Sequence, residues 1–165
     1  MRGFKTLSQN IPPIEAISPG TTGDADRYGD WISLKNAPNG VAVVVHVDQA
    51  NAAQPTISIN QSTSVDGGGS PTDEKAIAKE VPIFTNLDCA GGDALTEQDA
   101  AVSYKLDAVV KHKIVVMEVK PEHLDVDNDF DCIRVKVASS NVANLISAMY
   151  LPLGQRYPSE SMIAD

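Results

Sequence analysis

Lys113-Ile-Val-Val-Met-Glu-Val-Lys120 and Asp131-Cys-Ile-Arg-Val-Lys-Val-Ala138, joined by Pro121-Glu-His-Leu-Asp-Val-Asp-Asn-Asp-Phe130, decide the fold class. In the second run Ile133, Val135 and Val137 alternate with Arg134 and Lys136, the period-two pattern of a strand with one face on a core and one towards water. In the first run Ile114, Val115, Val116 and Met117 stand together, which predicts a strand covered on both faces. The joining segment is too polar for a core and reads as one short helical turn and a loop. A third apolar run, residues 144–151, fits a last strand or an apolar helix, and the turn-like residues 139–144 before it favour the strand.

Upstream, Val41, Val43, Val45 and Val47 fall on one face of a strand, with Ala42, Val44 and His46 on the other. Gly29-Asp-Trp-Ile-Ser-Leu-Lys-Asn36 reads as a strand with Trp31, Ser33 and Lys35 opposite Ile32 and Leu34, and the turn Ala37-Pro-Asn-Gly40 makes the two a hairpin. Residues 56–62 form a further strand. Asp66-Gly-Gly-Gly-Ser-Pro-Thr72 invites comparison with a phosphate loop but lacks its Gly-Lys-Ser/Thr ending. It is instead a turn, with Ser70 and Pro71 starting a two-turn helix over residues 73–80. Residues 81–87 carry Pro82 and are expected at a sheet edge. A helix-like turn from Thr96 should precede a strand over 101–108, with Val102, Tyr104 and Leu106 on one face.

The first 28 residues hold Pro12, Pro13, Pro19, Gly3, Gly20 and Gly23, with Ile11, Ile14 and Ile17 scattered among polar residues. Missing donors and conformational freedom argue against a sheet here, so the stretch reads as an extended arm. The expected organisation is an arm over 1–28, a β-domain over 29–153 and a polar tail over 154–165. The fold class is mainly β: an antiparallel sandwich or jelly roll with one or two short helices.

A chain of 165 residues is long enough for one core without metals or disulfides. Its formal charge of −9 argues against gripping nucleic acid or an anionic membrane. Residues 1–8 lack the apolar core of a secretory signal, and folding in a cytoplasm is expected. Cys89 and Cys132 have no metal-type spacing and read as reduced small hydrophobes. No cofactor motif appears. Asp125, Asp127 and Asp129 have the alternate spacing that opens a calcium loop, but Phe130 and Lys136 stand where its glycine and closing glutamate belong, so a solvated acidic turn is the stronger reading. His46, His112 and His123 have no nucleophile motif beside them, which sets an enzyme well below a binding or structural protein.

The order Trp31-Ile-Ser-Leu-Lys-Asn, a valine-rich strand, His123-Leu-Asp-Val, Phe130-Asp-Cys-Ile-Arg-Val, Ala148-Met-Tyr-Leu and Gln155-Arg-Tyr resembles a group of small virion structural proteins of tailed bacteriophages, from about residue 30 onwards. Within that group the chain is similar to capsid decoration, or cement, proteins. The resemblance implies a β-sandwich or jelly roll on the outer face of the head, binding the major capsid protein and copies of itself, often as a homotrimer, without direct nucleic-acid or membrane contact. The arm also suits a tail or connector part. Candidate contacts are Ile11, Ile14 and Ile17 in the arm with Arg156 and Tyr157 in the tail. A carbohydrate- or receptor-binding β-module is a rival, disfavoured by an aromatic content of only 5%, too sparse for a stacking platform. A small enzyme with a pocket of histidine and carboxylates is another.

Overall fold

The computed structural model describes residues 6–66, 73–154 and Met162. A short helix, α1 (Leu7–Asn10), precedes twelve strands: β1 (Ile14–Thr21), β2 (Arg27–Tyr28), β3 (Ile32–Ser33), β4 (Val41–Asp48), β5 (Thr56–Ser62), β6 (Lys75–Ala76), β7 (Val81–Asn86), β8 (Thr96–Ala101), β9 (Ser103–Lys105), β10 (His112–Val119), β11 (Cys132–Val137) and β12 (Leu145–Pro152). They form an antiparallel β-sandwich. One sheet has the order β1-β12-β4-β10-β7-β8, and the other β2-β11-β5-β6, with β3 also on β11 and β9 also on β5.

The strands read from alternation are where the sequence puts them. Val41, Val43, Val45 and Val47 of β4 are buried, with Val115, Met117 and Val119 beside them on β10 and Ile146, Ala148 and Tyr150 on β12. Ile57 and Ile59 of β5 and Ile133, Val135 and Val137 of β11 oppose them from the second sheet. Each such side chain contributes about 1.5–3 kcal/mol by leaving water. Tyr150 ties the sheets together: its hydroxyl donates to the Asp30 carbonyl (2.9 Å) and accepts from the Val135 N–H (3.0 Å). Burial pushes the phenol's pKa well above its usual value.

Several expectations are corrected. The stretch over 1–28 is not an arm throughout: β1 pairs with β12 and β2 with β11. Pro19 is tolerated because β1 is an edge strand and its register shifts between Ile17 and Gly20. The expected hairpin does not form, since β3 pairs with β11 in the second sheet while β4 lies in the first, and Trp31, Ile32, Ser33 and Leu34 are all buried. The helix over 73–80 is replaced by β6, and Ser70 and Pro71 lie outside the described residues. Strand β7 is not at the edge, because β8 covers it. Pro82 fits there by sitting at a register shift against β8 and beyond the paired part of β10. The helix-like turn at Thr96 is strand β8. In the tail, Met162 is buried and its carbonyl accepts from the Ser33 N–H (2.7 Å).

Candidate protein-docking face

Strand β10 was expected to be covered on both faces, and among the described residues only one face is covered. Its inner residues Val115, Met117 and Val119 are buried, whereas Ile114 and Val116 on the other face remain half-buried. Cross-strand pairing turns this into a surface. Glu15, Met149, Val44, Val116, Phe84 and Glu97 are successive partners on β1, β12, β4, β10, β7 and β8, one row across the six-stranded sheet. Its four central side chains are apolar and its two ends are carboxylates. A parallel row holds Ser147, His46, Ile114 and Asn86, and Leu145 and Leu151 extend the apolar side along β12. Met149 and Leu145 are 43% and 45% exposed.

The face spans roughly 24 Å across its strands and about 26 Å along the longest, from sheet spacing and rise per residue. Contiguous apolar surface of this kind is uncommon on soluble monomers and marks contact sites. Within its six strands the outward charged residues have one sign. The outward residues of the sheet include Glu15, Asp48, Glu97 and Glu118, and the only lysine or arginine in its six strands is Lys113, which is fully buried.

Lys113 went unread in the sequence. It ends the inner face of β10, where its ammonium donates to Gln49 Oε1 (2.8 Å) and Asp107 Oδ1 (2.5 Å). Burial pushes the Asp107 carboxyl up, but hydrogen bonds from Lys113 and the Val109 N–H, with the nearby lysine charges, hold it below the ordinary carboxylate range. With its protons directed at these acceptors, the ammonium is a structural cation rather than a nucleophile.

The other candidate residues fall apart from one another. Ile17 is buried in the chain's own core and Ile14 packs against it, so neither is a strap. Ile11, just after α1, is half-buried, and Leu7 before it is 75% exposed. Arg156 and Tyr157 lie outside the described residues. In the acidic loop, Asp125 is engaged by the Lys75 ammonium and by Asn128 Nδ2 (2.9 Å), which hold it below the ordinary range. Asp127 and Asp129 are exposed, and no group of three potential metal ligands forms among the described residues. His46 and His112 have parallel rings 6.4 Å apart on the margin of the apolar face, and His112 Nδ1 is 3.4 Å from Asp48. His112 and Asp48 line an open hollow of about 420 Å³ with Asp88 and Lys111. More than a third of each of the His112, Asp48 and Asp88 side chains meets water, which screens their charges. His123 is used locally, its Nδ1 accepting from the Lys120 N–H (3.0 Å).

No family model matches the chain, and no curated protein matches its sequence.

Proposed function

We propose that this protein is a structural component of a tailed-phage virion, a head decoration protein that stabilises the shell through contacts with the major capsid protein and between its own copies. The observation that supports this reading is the apolar row across the outward face of the six-stranded sheet, a surface suited to protein contact. The resemblance of the Trp31, Phe130 and Ala148 segments to virion proteins supplies the kind of particle. A protein that binds only the assembled shell stabilises it by mass action, and several weak contacts on one oligomer add up through effective concentration.

The test is addition of the purified protein to heads that lack it, read by co-sedimentation and by the temperature at which the heads release DNA. Saturable binding with a rise in that temperature is expected; absence of binding overturns the reading. Immunogold labelling of whole particles separates a head position from a tail or connector position. A truncation used to probe the arm should end before Ile14, since β1 and β2 belong to the sandwich. Removing residues 1–13, which include Ile11, is expected to weaken head binding and leave the melting temperature of the free protein within a few degrees.

A further inference from the structure

The two outward faces of the sandwich are chemically opposite. The six-stranded sheet presents its apolar row among Glu15, Asp48, Glu97 and Glu118. The strands of the second sheet contain no aspartate or glutamate, and they turn Lys105, Arg134 and Lys136 outward, on the side away from buried Ile57, Ile59, Ile133, Val135 and Val137. Arg134 lies 4.2 Å from the Tyr28 ring centroid and 4.7 Å from that of Trp31. It also pairs with Glu74, and Lys136 pairs with Asp26, both acids coming from loops at the margin. Tyr28 is 45% exposed, so this face offers an aromatic surface backed by fixed cations, the composition favoured at interface hot spots.

Packing two copies through their six-stranded sheets would set four carboxylates against four, a like-charge arrangement that interfaces avoid. Packing the six-stranded sheet of one copy against the second sheet of another brings those carboxylates to the lysine and arginine side, and the apolar row to Tyr28. We propose that the occupant of the apolar row is the second sheet of another copy of this chain, in a head-to-tail contact. The face measures roughly 600 Å² by strand spacing and rise. That approaches the roughly 800 Å² per partner of a standard stable interface. Such a contact is heterologous and builds a ring when its rotation closes. It stands on the layout of charge and apolar surface, whatever particle the assembly joins.

Light scattering across protein concentration and salt tests it with two variants. Met149→Glu spoils the apolar row, and Tyr28→Asp combined with Lys105→Glu spoils the opposite face; circular dichroism checks that each is folded, and Leu145→Glu replaces the first if it is not. The wild type is expected to exceed the 17.5 kDa of one chain. Each variant alone is expected to be monomeric, its association weakened at least about tenfold, as for loss of a contact residue. Mixed, the variants retain one good face each and are expected to give a species of twice the monomer mass that grows no further. A monomeric wild type, a second-sheet variant that stays oligomeric, or a mixture that stays monomeric overturns the proposal. A wild type that stays monomeric yet binds heads would leave the decoration reading standing; an oligomer that ignores heads would do the reverse.

Discussion

Two buried hydroxyls show how differently the same group acts in this core. Tyr150 satisfies the Val135 N–H and the Asp30 carbonyl, joining β12 to the opposite sheet, and Gly29 leaves room for it, since a Cβ there would lie 2.7 Å from its oxygen. The Thr85 hydroxyl on β7 is buried with no hydrogen-bond partner among the described residues. Tyr150→Phe leaves a buried donor unmet and is expected to cost about 1–3 kcal/mol. Thr85→Val removes an unmet group and is expected to be neutral or to stabilise by up to about 1 kcal/mol. Urea unfolding midpoints at constant m-value decide both. A Thr85→Val variant losing more than 1 kcal/mol would show that the hydroxyl has a partner, and a neutral Tyr150→Phe would show that the bridge carries no stability. Neither role is legible in the sequence, where Tyr150 is one apolar residue in Ala148-Met-Tyr-Leu and Thr85 one polar residue after Phe84.

At the scale of elements, the turn before β4 was readable and its consequence was not. Gly40 has φ +86°, and a Cβ on it would sit 2.2 Å from the Val119 carbonyl oxygen. Its N–H donates to Ala37 (2.8 Å) and its carbonyl accepts from Leu153 (2.9 Å), so one residue gathers the ends of β4, β10 and β12. Gly40→Ala therefore pays for both left-handed backbone and a backbone clash, and a loss of about 2–3 kcal/mol is expected. At about 2–4 °C per kcal/mol for a chain of this size, the calorimetric melting temperature should fall by roughly 5–10 °C; a fall under 2 °C would mean that the turn simply rearranges. Asn39-Gly40 announced the turn, yet a turn does not name the strand's partner. Where alternation was strong, in β4, β5 and β11, strand and buried face followed from the sequence. Where a segment is two or three residues long, as in β3, β6 and β9, long-range pairing overrides local preference. The apolar row is illegible for a related reason. Val44, Val116, Phe84 and Met149 come from four distant strands, and only the register makes them neighbours. The one signal available was the doubly apolar run at Ile114–Val115–Val116–Met117, which asked for a cover that the described residues do not supply.

For the whole molecule, the distribution of ion pairs sets how the fold responds to acid. Lys136 holds Asp26 below the ordinary carboxylate range, as Lys111 does Asp88 and Lys75 does Asp125. Burial pushes Glu74 and Asp107 up, and Arg134 and Lys113 more than reverse it. A carboxylate with a lowered folded pKa takes its proton more readily in the unfolded chain. Its contribution is therefore complete above the unfolded value near 4 and is lost as pH falls through the folded one. Burial also lowers the pKa of His123, so stability rises with pH through the window just below 6.5, where the unfolded chain still holds that proton. Each pair is at least partly exposed and contributes little alone. Their shared direction gives a urea midpoint that dips slightly between pH 7 and 5 and falls steeply below about 4. Stability and association are separable by adding Asp125→Asn with Lys75→Met, which removes one ion pair outside both the apolar row and the outward Lys105, Arg134 and Lys136. That variant should soften the acid dependence of the urea midpoint slightly while the scattering mass at pH 7 stays near that of the wild type. A midpoint that is flat with pH in the wild type would mean that the unfolded chain keeps the same ion pairs. A mass that falls at pH 7 in the variant would place Lys75 in the contact itself rather than in the fold.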